Sequence, residues 1–153
     1  MTRVPALEEF EGTWSLSRVI EDTQADVTGR LSGTVNFLPK PDGLIYEEQG
    51  TLVYGDQTPL TATRRYIWRP EHTMMKVEDG PDRPVTNIAV LFDDGRPFHV
   101  IETHRSMPDD NHHCDPDLYH VSYDFTRWPV WTSTWRVVGP KKDYRMVSTY
   151  KRP

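Results

Sequence analysis

The chain lacks several features that mark particular classes of protein. It has one cysteine in 153 residues, which excludes an internal disulfide and makes a reducing cytoplasm the expected location. No apolar run approaches the roughly 20 residues of a membrane helix, and residues 1–10 lack the apolar segment of a secretory signal. The net charge is −5, with Lys and Arg spread among acidic neighbours, which argues against a general nucleic-acid binder. We therefore expect neither a nucleic-acid partner nor a membrane partner.

Helical periodicity is also scarce. The one helical candidate covers residues 5–10, where Pro5 suits an early helical position. From Gly12 onward, apolar and polar residues alternate, and turn signals such as 93–96 separate the alternating segments. We predict one strand beginning at Gly12 and nine more near 31–37, 44–54, 60–68, 74–78, 87–92, 98–104, 118–125, 131–138 and 144–151, with 107–115 as a polar loop.

About ten regularly spaced strands predict an all-β fold. A sandwich would also fit this spacing, but mostly short hairpins favour an antiparallel up-and-down β-barrel, which leaves no exposed sheet edges. No linker, repeat or low-complexity tract divides the chain. We therefore predict a single barrel domain over residues 1–153 with a short N-terminal helix. Monomer and homodimer both stay open.

Several segments carry a resemblance to known proteins. Gly12-Thr13-Trp14, just after a helical turn, is similar to the opening of a lipocalin or calycin barrel, where the Trp packs across the barrel floor. Residues 10–14, 62–68, 92–99, 113–119 and 139–144 together resemble DUF6314, a bacterial family of uncharacterised lipocalin-like domains. The resemblance implies a calycin-like barrel and a bacterial origin. It brings no established activity or ligand.

Two arginines fall on the inward phase of their strands. Arg18 shares a face with Trp14, Leu16 and Ile20. Arg64 shares a face with Tyr66. A buried guanidinium needs an acceptor, and its fork of donors matches a carboxylate. The acceptor could belong to a small anionic ligand or to an internal residue such as Glu48. A one-residue slip in register would exchange Arg64 for Arg65.

The inferred interior is also rich in tyrosine. A tyrosine has an apolar body and a polar tip, which suits a pocket for a mostly apolar ligand with a few polar groups. The alternative is that aromatic rings simply fill the barrel, although ten strands leave more room than eight. The tyrosines on the inward phase are Tyr46, Tyr66, Tyr119, Tyr123, Tyr144 and Tyr150.

The segment His112-His113-Cys114 is the densest cluster of potential ligands and nucleophiles. Adjacent residues point in different directions, and no second cysteine or His-x-x-x-His pair accompanies them, so we predict no metal site. Nothing in the sequence marks an oxyanion hole for a cysteine nucleophile. We expect His113 and His99 to be polar groups at the wall or mouth of a cavity.

These features lead to a binding function as the main hypothesis. The predicted protein holds a small amphipathic or aromatic, anionic molecule inside the barrel and needs no cofactor. The predicted ligand-binding residues are Arg18, Tyr46, Arg64, Tyr66, His99, His113, Tyr119, Tyr123 and Tyr144. One alternative is an enzyme with His99 or His113 as general base and Tyr119 as acid or orienting group. A haem-binding barrel is the third hypothesis.

Overall fold

The computed structural model describes residues 4–153 and confirms the all-β prediction. The predicted N-terminal helix is a single 3-10 turn, Leu7–Phe10. No helix in this part of the chain is long and apolar enough to cross a membrane. Ten strands follow the turn: β1 (Gly12–Asp22), β2 (Val27–Lys40), β3 (Gly43–Tyr54), β4 (Leu60–Met75), β5 (Arg83–Phe92), β6 (Pro97–Ile101), β7 (Asp109–Cys114), β8 (Asp117–Asp124), β9 (Trp131–Gly139) and β10 (Lys142–Lys151).

The strands form one antiparallel sheet that curls into a nearly closed calycin-like barrel. The order across the sheet is β6-β5-β4-β3-β2-β1-β10-β9-β8-β7. The first strand therefore pairs with both β2 and β10, and the two ends of the sheet are β6 and β7. These two strands meet at a seam, where the backbone N–H of Val100 donates to the Asp110 carboxylate at 2.8 Å. An aspartate side chain thus supplies a bond across the seam.

Aromatic side chains fill the end of the barrel where β1 begins, which we call the floor. The 3-10 turn places Phe10 against Trp68 and Trp131, with ring centroids 5.3 and 5.4 Å apart. The indole N–H of Trp14 donates to the Phe10 carbonyl at 2.8 Å. Outside, the Arg152 guanidinium lies 3.8 Å from the Trp14 ring centroid. The floor is therefore a packed aromatic layer, with Trp14 in the place that the resemblance predicts.

Two of the predicted element boundaries are wrong. The predicted gap between the strands at 60–68 and 74–78 does not occur, because β4 continues through Pro70 to Met75. Residues 76–78 are not part of a strand. Its pairing with β3 ends at Trp68, so the missing N–H of Pro70 costs no ladder bond on that side. The polar segment predicted as a loop at 107–115 contains strand β7. One false strand and one missed strand compensate, which is why the total of ten is correct.

Candidate functional site

An open pocket of about 730 Å³ lies at the end of the barrel opposite the floor. The turns that follow β3, β5, β7 and β9 are at this end, which we call the mouth. Of the thirteen lining residues, seven come from the region between His112 and Tyr150. The full lining is Arg64, Tyr66, Phe92, Arg96, Pro97, Phe98, His112, His113, Cys114, Tyr119, Trp135, Tyr144 and Met146.

Parallel aromatic rings form the wall of this mouth pocket. The Phe98 ring lies 4.3 Å from that of Phe92 and 5.0 Å from that of Trp135, with interplanar angles of 24° and 10°. A bulge in the β5–β6 pairing allows this arrangement, because Val90 is opposite His99 while Leu91 is opposite Pro97. The extra residue, Phe98, joins its neighbour His99 on the inner side of the barrel.

Arg64 is the inward-facing arginine of β4. Its Nη1 donates to the Tyr66 hydroxyl at 3.4 Å, and its Nε lies 3.9 Å from the Glu48 carboxylate. Both distances are long, and the side chain is 44% exposed. Arg65 instead pairs with Glu47 and Asp93 on the outside, at 3.6 Å from each carboxylate. Arg64 therefore brings a weakly satisfied guanidinium to the mouth pocket.

Arg18, by contrast, is fully occupied by internal partners. Its Nη1 and Nη2 donate to the two Glu48 oxygens at 2.7 Å each, and its Nε donates to the Ser148 hydroxyl at 2.7 Å. Burial alone would raise the pKa of Glu48, but the hydrogen bond and charge of Arg18 outweigh it, so the pKa is lowered. The fork of donors of Arg18 thus binds the internal carboxylate that the sequence suggests as the alternative to a ligand. Its role in ligand binding stays a prediction.

Tyr46 and Tyr123 are likewise bound to partners inside the barrel. The Tyr46 hydroxyl donates to Glu48 at 2.6 Å and lies 3.0 Å from the Tyr150 hydroxyl. The Tyr123 hydroxyl lies 2.8 Å from Nε2 of His99. Burial raises the pKa of both phenols well above the usual value. Both line an inner cavity of about 30 Å³, which has room for a water molecule or two. Neither tyrosine lines the mouth pocket, although the two cavities share lining residues such as Tyr66 and Trp135. The ligand-binding role of Tyr46 and Tyr123 stays a prediction.

His99 faces the same inner cavity and is 5% exposed. Burial, with a smaller contribution from the charge of His112, lowers the pKa of His99 to about 3. Its Nδ1 has no hydrogen-bond partner among the described residues. A neutral imidazole beside a water-sized space is poorly placed to act as a general base on a substrate. His99 is therefore a buried polar residue and lies outside the mouth pocket.

The residues predicted at the rim are distributed between two sides of the barrel wall. Tyr119 and Tyr144 are half-buried and line the mouth pocket. Nζ of Lys142 lies 3.0 Å from Asp117 and donates to the Tyr119 hydroxyl at 3.3 Å. His113 is exposed and pairs across the sheet with the outward-facing Leu118. It borders the pocket from the outer face of β7.

Sequence reasoning missed several lining residues. His112 is the histidine of β7 on the inner side, with its ring 5.2 Å from Phe98 and 5.6 Å from Phe92. Trp135 shares the inward phase of Trp131 and could have been found by alternation along β9. Phe98 could not, because the bulge breaks that alternation. Arg96, 74% exposed and paired with Asp94 at 2.7 Å, is at the outer edge.

Cys114 is exposed at the rim of the pocket and forms no disulfide. Within residues 4–153, no group of three or more His, Cys, Asp or Glu side chains is arranged to hold a metal ion. The mouth pocket offers aromatic surface, hydroxyls, imidazoles, a thiol and guanidinium groups as its means of recognition.

Three comparisons with known proteins place this geometry in context. No curated protein matches the sequence. A solved structure, the S-type phycobiliprotein lyase CPES from Guillardia theta, is similar with a TM-score of 0.58 and 8% sequence identity. The match covers 96% of this chain and 90% of the other, and at this identity it shows the fold alone. The model of a family of unknown function, DUF6314, matches residues 10–152. The chain therefore belongs to the DUF6314 family.

Proposed function

We propose that the protein binds a small amphipathic or aromatic anion in the mouth pocket. The observation that carries this proposal is Arg64, a guanidinium with only long contacts at 3.4 and 3.9 Å, among aromatic walls. The volume of about 730 Å³ lies in the usual range for small-molecule sites. The proposed ligand places its ring system against Phe98 and Trp135 and its acidic group on Arg64.

The charge balance below the pocket favours an anion. Arg18 and Arg64 both face Glu48, so two positive groups share one negative group. Arg18 takes both carboxylate oxygens, which leaves the charge of Arg64 largely uncompensated. A hydrogen bond that involves a charged group contributes about 1.5–3 kcal/mol. A carboxylate or sulfonate on the ligand would complete the pairing of Arg64.

The similar solved structure supports the proposal in one respect. Its name describes a lyase for phycobiliproteins, and its barrel has the same overall shape over 96% of this chain. We take from it the barrel and not the reaction. The ligand class proposed here is based on the residues that line the mouth pocket of this chain.

A pair of fluorescent probes tests the proposal. Anilinonaphthalene sulfonate is an aromatic anion, and N-phenylnaphthylamine is a neutral probe of closely similar shape. Arg64→Gln should weaken sulfonate binding at least about tenfold, because it removes a charge-assisted hydrogen bond. The same substitution should leave the neutral probe within about twofold. Titrations followed by fluorescence give both dissociation constants.

Arg65→Gln is the matched control for this experiment. It removes the same charge from the adjacent residue, whose side chain is similarly exposed but lies on the outside of the barrel. It should leave both probes unaffected, and circular dichroism should show both variants folded. Equal effects of the two substitutions on the sulfonate probe, or no saturable binding by the wild type, would refute the proposal.

A further inference from the structure

The arginines that line the mouth pocket are not matched by any described acidic residue in the lining. The lining contains no carboxylate among the described residues, while Arg64 and Arg96 both belong to it. Arg96 is paired with Asp94 at the exposed outer edge. The negative group nearest to the inner end of the pocket is Glu48, just behind Arg64. Any anion that binds Arg64 is therefore also repelled by the negative charge of Glu48, which lies behind Arg64.

Glu48 is held firmly in that position. Its side chain is fully buried, and three hydrogen bonds of 2.6–2.7 Å from Arg18 and Tyr46 hold its two oxygens. The lowered pKa keeps the carboxyl group ionised at neutral pH. A group fixed by so many short bonds cannot turn away when another anion approaches. Its repulsion is therefore a permanent property of the site.

We propose that Glu48 makes the mouth pocket selective for ligands with a single negative charge over ligands with two. This inference rests on the proposed binding function and adds the ligand class. The three groups Arg18, Glu48 and Arg64 sum to one positive charge, which one negative charge on the ligand neutralises. A second negative charge would have no partner in this part of the site.

The energetic reason is that the attraction of the ligand to the site and the cost of removing the ligand from water depend differently on the charge of the ligand. The attraction of a ligand to a fixed charge grows in proportion to the charge of the ligand. The cost of removing an ion from water grows with the square of that charge in the Born description. The net positive charge of one on Arg18, Glu48 and Arg64 offsets the cost of moving a monoanion from water into a pocket walled by Phe98 and Trp135. It does not offset the larger cost for a dianion.

Three naphthalene compounds test the selectivity of the wild-type protein. 2-Naphthamide is neutral, 2-naphthoate carries one negative charge, and 2-naphthyl phosphate carries a charge of about −2 at pH 8. Calorimetric titration at pH 8 and constant ionic strength should show naphthoate binding most tightly. We expect it to bind about tenfold more tightly than naphthyl phosphate. This measurement requires no variant, so it decides the selectivity even if a substitution disturbs folding.

Glu48→Gln then tests the residue. It keeps the shape of the side chain and one of its two acceptor oxygens, replaces the other oxygen with an NH2 group that cannot accept from Arg18 or Tyr46, and raises the net charge of the group to two. The affinity for naphthyl phosphate, relative to naphthoate, should rise about tenfold, as expected for one charge at a separation of several ångströms. Glu47→Gln is the control, because it removes the same charge from the exposed neighbour that pairs with Arg65. It should leave the ratio unchanged.

The outcomes separate this inference from the proposed function. If none of the three compounds binds, the proposed function fails and the selectivity fails with it. If the compounds bind but naphthyl phosphate equals or exceeds naphthoate in the wild type, the selectivity alone is overturned. An unchanged ratio in a folded Glu48→Gln protein would overturn the role of Glu48. A ratio that shifts equally in Glu47→Gln would do the same.

Discussion

Most buried polar residues of the barrel satisfy one another. Arg18 donates to both Glu48 and Ser148 at 2.7 Å, and Tyr46 and Tyr150 extend the same network. Such groups are costly to bury unless they find partners, so their close pairing stabilises the interior. Arg64 differs because its contacts are long and its side chain faces the open pocket. At the scale of single residues, this difference separates the polar groups of the core from the proposed site.

His99 should make the stability of the protein depend on pH. Its pKa of about 3 in the folded state lies below its ordinary value of 6.5. As pH falls, the unfolded chain therefore takes up a proton that the folded protein refuses, and stability is lost below pH 6.5. By pH 5 the loss should be about 2 kcal/mol. Urea unfolding between pH 8 and pH 5 measures it.

Two histidine variants make this prediction specific. His99→Gln should flatten the dependence of unfolding free energy on pH, whatever its effect at pH 8. His104→Gln, at an exposed position, should retain the wild-type slope. A slope in His99→Gln equal to that of the wild type would show that His99 is not the responsible group.

Residue positions could be predicted from sequence where the alternation is clear. On β4, alternation placed Arg64 rather than Arg65 on the inner side, and the structure agrees. On β7, the run of polar residues predicts a loop and gives no inward phase, so the sequence does not show that His112 rather than His113 is the inner residue. The pairing of Arg18 with Glu48 was an open alternative, because it depends on two strands that are not neighbours in the sheet.

At the scale of elements, the seam between β6 and β7 is the least regular part of the barrel. The two strands are only five and six residues long, and they stand at the two ends of the sheet. Asp110 accepts the Val100 N–H at 2.8 Å and the Asn111 N–H at 2.8 Å through its other oxygen. One carboxylate thereby orders β7 and fastens it to β6.

Asp110→Ala should loosen the seam. The loss of one buried hydrogen bond to a charged acceptor should increase hydrogen exchange at the Val100 amide about tenfold, while exchange in β1 and β2 stays slow. Exchange followed by nuclear magnetic resonance gives both rates. Asn111→Ala, at the exposed neighbouring position, is the control and should leave the Val100 rate unchanged. Equal rates in wild type and Asp110→Ala would mean that the carboxylate does not hold the seam.

Strands β4 and β7 show why the sequence patterns did not predict every element correctly. Pro70 signals a break in most strands, yet β4 passes through it because the β3 side of the strand is already unpaired there. Strand β7 carries mostly charged and polar residues, since it faces solvent on one side and the open pocket on the other. Strands such as β1 and β3 alternate clearly, because one face of each packs on a filled interior.

The whole molecule combines a packed half with an open half. Trp131 illustrates the floor, with 1% exposure and a ring stacked 3.8 Å from that of Tyr150. Trp135, two inward positions further along β9, is half-buried and forms part of the mouth pocket. We infer that the floor supplies most of the stability and that the mouth is free to bind. The two tryptophans allow a direct test within one strand.

Trp131→Ala should lower the free energy of unfolding by about 3–5 kcal/mol, because a large cavity would remain in the core. Trp135→Ala should cost less than about 2 kcal/mol, since its side chain already borders open space. The same Trp135 substitution should weaken the binding of anilinonaphthalene sulfonate about tenfold through loss of a stacking surface. Urea unfolding and probe titration measure the two effects. Similar stability losses in both variants would contradict this division.

The strand order also has a consequence for protein engineering. The first and last strands, β1 and β10, are neighbours, while the two ends of the sheet are β6 and β7. A circularly permuted gene that starts at β7 and finishes at β6 would encode the ten strands in the same order in which they lie side by side. Its new termini would open at the seam, and a short linker would join the original ones beneath the floor. The connection between β6 and β7 lies at the floor end of the barrel. Such a permutant would therefore provide an attachment point for a reporter domain at the end of the seam away from the mouth pocket.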